Sequence, residues 1–133
     1  PPWFFAAGQL MDYGVHSWDL REGAGRHHVL GGDAADLLVP FMFGLWQSTV
    51  KADADKTPFE LGVRVLGRNG GDRHIKVDEN GMSVEMGEID QLPAVLEFDA
   101  GSMVLVTFGR CNAGTVRGDP AIAERFLNLF FPI

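Results

Sequence analysis

The spacing of hydrophobic positions changes at about residue 58. Before it, apolar side chains recur at helical intervals; after it, they alternate. Nothing interrupts a helix over 3–22. Pro1 and Pro2 suit its first turn, where a missing N–H costs little, and Gly23 and Gly25 end it. Gly8 and Gly14 weaken it by roughly 1 kcal/mol each relative to Ala. "RHHVLGG" is a connection, after which Asp33 is the expected N-cap of a second helix over 34–49. Leu37, Leu38, Phe41, Leu45 and Trp46 there stand at helical spacing.

"KADADKTP" at 51–58 is a polar linker. In "FELGVRVLG" beyond it, Phe59, Leu61, Val63 and Val65 take one face and Glu60 and Arg64 the other. "RNGGD" and "ENG" are turns; "RHIKVD" points Ile75 and Val77 inward, and "MSVEMG" groups Met82, Val84 and Met86. "AVLEFD" is a further strand, Asp99 caps a short apolar helix ending at Gly109, and "GTVRG" is a last strand. Asp119-Pro120 opens a closing helix, "AIAERFLNLF". The predicted fold class is α+β. Two N-terminal helices (1–50) and a linker (51–58) lead into a small, mainly antiparallel sheet with two helices (59–133).

Composition narrows the partners. In 133 residues, eighteen acidic side chains against eleven Lys and Arg leave a net charge of −7, which argues against nucleic acid, whose binding relies on basic neutralisation of phosphate. The longest apolar run, "LLVPFMFGLW", is too short to span a bilayer and is broken by Pro40. A single cysteine, Cys111, excludes an internal disulfide and fits a reducing cytoplasm. The opening "PPWFF" lacks a starting methionine, so a processed N-terminus and a fragment of a longer protein are both open.

The chemistry concentrates in "MDYGVHSWDL". Asp12, His16 and Asp19, at i, i+4 and i+7, fall within a ~60° sector of a helix, with Gln9 on the same side. A D-x-x-x-H pair lets two side chains share one metal ion, and imidazole with carboxylate suits zinc. Two ligands fall short of the usual three, and a plain helix-surface hydrogen bond between Asp12 and His16 is the competing reading. Arg110 is a candidate anchor for a carboxylate, against the alternative of a salt bridge to one of the many acids. His27 and His28 read as a solvated loop pair, His74 as a surface residue and Cys111 as a small inert side chain.

Two stretches carry a resemblance. "MDYGVHSWDL" resembles the last bundle helix of the mycothiol-dependent maleylpyruvate isomerase family, and "VLEFDAGSMVLVTFGR…VRGDPAIAERF" resembles that family's sterol-carrier-type C-terminal domain. Together with the order of elements they cover nearly the whole chain. The resemblance implies the end of a DinB-like four-helix bundle over 1–50 and a sterol-carrier-like domain over 59–133. It implies a divalent metal, zinc foremost, with Asp12 and His16 as ligands, and mycothiol or another small thiol as cofactor. It further implies a small-molecule substrate and a catalytic role for Arg110; on an enzyme reading, Asp19 is expected to orient His16 from behind. Position 12 holds aspartate where the family has glutamate, and the family's first histidine, on an earlier helix, has no counterpart. The chain is then either the C-terminal part of a longer enzyme or a descendant that gave up the metal.

Three functions follow as expectations. The first is a thiol-dependent metalloenzyme, or part of one, of isomerase or transferase type. The second is a non-catalytic protein holding an apolar ligand among Met82, Met86, Met103 and Phe108, residues that serve equally as plain core. The third is a subunit completing a partner's bundle. Exposed Trp3, Phe4, Phe5, Phe41, Phe43 and Trp46 would need cover from a preceding segment, a second copy (a homo-oligomer) or another chain.

Overall fold

The structure is a computed structural model describing residues 2–25, 30–111 and 113–133. Helices α1 (Pro2–Gly23) and α2 (Gly32–Ser48) precede β1 (Phe59–Leu66), β2 (Gly71–Asp78), β3 (Gly81–Met86) and β4 (Ala94–Asp99). Then come α3 (Ala100–Thr107), β5 (Thr115–Gly118) and α4 (Pro120–Leu127). The five strands form one sheet in the order β3-β2-β1-β4-β5. β1–β2, β2–β3 and β4–β5 are antiparallel, while β1 and β4 run parallel. This is the α+β arrangement expected, with antiparallel pairing in the majority. Among the described residues no helix is long and apolar enough to cross a membrane.

Alternation along β1 and β2 buries Leu61, Val63, Val65, Ile75 and Val77. The sheet's neighbour in the core is α2, whose Leu38, Val39, Met42 and Trp46 join them in one hydrophobic cluster with Phe98, Met103, Val104 and Phe126. The faces on either side of segment 51–58 therefore meet in a common core. Trp46 is its hub: its ring stands edge-on to Phe43 and Phe126, with centroids 5.5 and 5.2 Å apart, and stacks on Phe130 at 5.8 Å.

The structure differs from the sequence reading at three places. Asp33 is not the N-cap of α2; Gly31 is, because the helix starts at Gly32. Asp33 sits in the first turn, where its charge still complements the helix dipole, and its side chain lies 3.7 Å from Arg68. Phe41, Phe43 and Trp46 are buried rather than exposed, so of those six aromatic residues Trp3, Phe4 and Phe5 of α1 remain at the surface. Met86 does not group with Met82 and Val84; it lies at the end of edge strand β3 and is 71% exposed.

Two capping expectations are met. Asp99 accepts from the Ser102 N–H at 2.9 Å, and Asp119 accepts from the Ala121 N–H at 2.9 Å with Pro120 opening α4.

Helix α1 is the least embedded of the helices, with Val15 its one buried residue. It leans on α2 through Phe4 and Phe41, whose ring centroids are 4.9 Å apart. Its second half is fixed from the far end of the sequence by Arg110.

A candidate metal-binding stripe on the first helix

The stripe predicted on α1 is formed. Asp12 Oδ1 lies 3.2 Å from His16 Nε2, and Asp19 Oδ2 lies 3.6 Å from His16 Nδ1. His16 is thus flanked by a carboxylate on each ring nitrogen. Asp12 and His16 are open to solvent, with side chains 58% and 64% exposed, and Asp19 is half-buried. Behind Asp19, Arg110 donates from Nε to Oδ1 at 3.0 Å and from Nη2 to Oδ2 at 3.1 Å. Its Nη1 donates to the Phe108 carbonyl at 2.7 Å.

Local sequence explains how Arg110 arrives there. Helix α3 ends in a Schellman motif: Gly109, with φ +64°, donates to Val106 O, and Arg110 N donates to Leu105 O. Only the glycine takes the left-handed conformation without strain, and it turns the chain so that the next residue faces α1. The Arg110 hydrogen bonds hold the Asp19 carboxyl below its ordinary value, with burial opposing and His16 assisting. The same pairing raises Arg110 further into its charged range. Burial pushes the Cys111 thiol up, assisted by the charge of Asp99, so this sulfur is not activated as a nucleophile.

Of the two roles open to Arg110, the structure shows the salt bridge: its fork is taken by Asp19. Asp12, His16, Asp19 and Arg110 form one continuous line of contacts, whereas His74 is elsewhere, on β2, bound to Glu60 at 2.7 Å. His27 and His28 lie outside the described residues. The four side chains suggested as an apolar lining do not share a cavity, since Met103 and Phe108 are in the core and Met86 is exposed.

Donor spacing tests the fit to a metal. Two ligands each about 2.1 Å from a metal, at tetrahedral or octahedral angles, stand roughly 3.0–3.4 Å apart. The Asp12–His16 separation lies within that range, and Asp19 backs the imidazole as an outer carboxylate does in histidine metal sites. Among the described residues no group of three or more His, Cys, Asp or Glu side chains is arranged to hold a metal ion. The stripe supplies two ligands and their support.

Two clefts flank it. One of about 490 Å³ runs between α1 and α2: α1 contributes Leu10, Tyr13, Ser17 and Arg21, and Leu30 and the α2 residue Leu38 contribute from the other side. A second, of about 470 Å³, is lined by Asp12 and His16 together with the same Tyr13, Ser17 and Arg21. Sequence reading passed over these three. Their spacing of four and four along α1 was the available signal, masked by the stronger Asp-His stripe beside them.

The fold belongs to the α+β class, with a mixed five-stranded sheet. No known family model matches the chain, and no curated protein matches it. Among solved structures it is similar to a double mutant of the sec-alkyl sulfatase PisA1, with a TM-score of 0.59 and 13% sequence identity. The match covers 74% of this chain and 17% of that one, a likeness of fold.

Proposed function

We propose that this chain carries part of the active site of a thiol-dependent metalloenzyme, of the isomerase or transferase type that the sequence resemblance implies. The supporting observation is the Asp12–His16 donor pair at metal-sharing distance on an open helix face, backed by Asp19. Asp12 Oδ1 and His16 Nε2 would hold a divalent metal, zinc foremost. Bound there, it supplies Lewis-acid polarisation of a substrate oxygen or a lowered pKa for the thiol of mycothiol or a related cofactor. Asp19 Oδ2, 3.6 Å from His16 Nδ1, would favour a proton on Nδ1 and so leave the Nε2 lone pair for the metal. Arg110 is a positioning residue, fixing both oxygens of Asp19 and offsetting its charge.

Metal stoichiometry by elemental mass spectrometry on zinc-loaded, desalted protein tests this reading. Near-stoichiometric zinc in the wild type and its loss in His16→Ala are expected. Absence of metal from both, or its retention in the variant, overturns it.

A second reading has its own observation. Trp3 and Phe5 are 61% and 72% exposed, and Leu20 on the same helix is 77% exposed. Such a surface suits packing against further helices, from a second copy or another chain, so that α1 completes a bundle. Sedimentation equilibrium tests it: self-association or a stable complex is expected, and a monodisperse monomer at high concentration that takes up no partner helix overturns it.

A further inference from the structure

The α1/α2 cleft carries a chemical signature that the metal pair does not explain. Its volume, about 490 Å³, is within the range of small-molecule sites, and Leu10, Leu30 and Leu38 give it an aliphatic lining. On α1, along the same cleft, stand two hydroxyls, of Tyr13 and Ser17, and the guanidinium of Arg21.

Arg21 is out of keeping with the rest of the chain. Arg64, Arg68, Arg110, Arg117 and Arg125 each lie within 4 Å of a carboxylate, and Arg73 lies over the Phe43 ring at 5.3 Å. Among the described arginines, Arg21 pairs with neither a carboxylate nor a ring. In a chain of net charge −7, with eighteen acids available, an arginine left unpaired beside an apolar cleft is a ready counter-charge for an anion from outside.

We propose that this cleft binds a small amphipathic carboxylate, its hydrocarbon part against Leu10, Leu30 and Leu38 and its carboxylate on Arg21. Hydrocarbon and carboxylate are both required, since the aliphatic lining gives burial and the arginine gives orientation. Because Tyr13, Ser17 and Arg21 also line the cleft at Asp12 and His16, such a ligand lies next to the metal pair. As a substrate subsite it rests on the metalloenzyme reading; as a binding site it stands without it.

Isothermal titration calorimetry with 4-phenylbutyrate and its uncharged analogue 4-phenylbutanol, on the metal-stripped 133-residue chain, tests the proposal. The carboxylate is expected to bind more tightly than the alcohol. Arg21→Gln, at an exposed position where folding is not at stake, weakens the carboxylate about tenfold and leaves the alcohol unchanged. Ala34→Leu, which narrows the cleft, weakens both. Because the titrations use metal-stripped protein, failure of the metal reading leaves this result standing. Equal affinity for the two ligands, no binding of either, or indifference to Arg21→Gln or Ala34→Leu overturns the proposal. Loss of binding in His16→Ala at unchanged helicity assigns the anion to His16 and overturns it equally.

Discussion

Arg110 grips Asp19 with two parallel hydrogen bonds, of 3.0 and 3.1 Å, across 91 residues of sequence. The bridge fastens a helix with one buried residue, Val15, to the turn that follows α3. It also sets the far carboxylate of the His16 stripe, so the attachment of α1 and the geometry of the candidate metal pair depend on the same contact.

Removing that contact should loosen α1 more than it lowers global stability. Asp19→Asn or Arg110→Ala is expected to cost about 1 kcal/mol, since both partners are partly solvated. Amide hydrogen exchange in 10–23 should accelerate well beyond that of the strands. Unchanged protection in α1 would show that its packing on α2 suffices.

Acid should destabilise the fold through three aspartates. Asp19 is held below its ordinary 3.8 chiefly by the Arg110 hydrogen bonds, Asp72 chiefly by those of Arg64, and Asp99 chiefly by the Ser102 backbone N–H. A carboxyl whose folded pKa lies below its unfolded one stabilises fully above the unfolded value. That contribution is lost as pH falls through the folded one. Urea midpoints should therefore be flat from neutrality to about pH 5 and fall below about pH 4. Asp19→Asn with Asp72→Asn should flatten the acid limb; an unaltered limb would assign it to other groups.

Asp36 clamps α2 to the β1–β2 turn. Its buried carboxylate accepts from the Asn69 backbone N–H at 3.1 Å and from its side-chain amide at 2.6 Å. Asp36→Ala removes both bonds; with Asn69 exposed to water, it is expected to cost about 1–2 kcal/mol in chemical denaturation. Gly67→Ala should also destabilise, because Gly67 has φ +132° and its added methyl would meet Asp36 Oδ1. Wild-type stability in either variant would show that the turn re-forms without the clamp.

Gly62 on β1 is kept small by Ile89, whose Cβ lies 2.6 Å from where a side chain at 62 would begin. Gly62→Val is expected to cost about 1–3 kcal/mol through overpacking despite the β-propensity it adds. Ile89→Ala in the same chain should recover part of that loss, so that the double-mutant cycle shows coupling. Strict additivity would place the strain elsewhere.

What the chain determines locally was legible in its sequence. The change of period near residue 58, the caps Asp99 and Asp119-Pro120, the glycine at 109 and the Asp12–His16–Asp19 stripe each depend on residues a few positions apart. Local geometry alone sets such features. Tertiary structure decided the rest. Phe41, Phe43 and Trp46 looked like an uncovered face, yet all three are buried; the ring partners of Trp46, for one, are Phe98, Phe126 and Phe130, more than 50 residues further along the chain. Arg110 could have met any of eighteen acids; the turn after α3 and the position of α1 selected Asp19. Arg21 drew no notice for the converse reason. Its lack of a partner is a property of the folded surface, where the other arginines have found theirs, and no spacing in the chain encodes it.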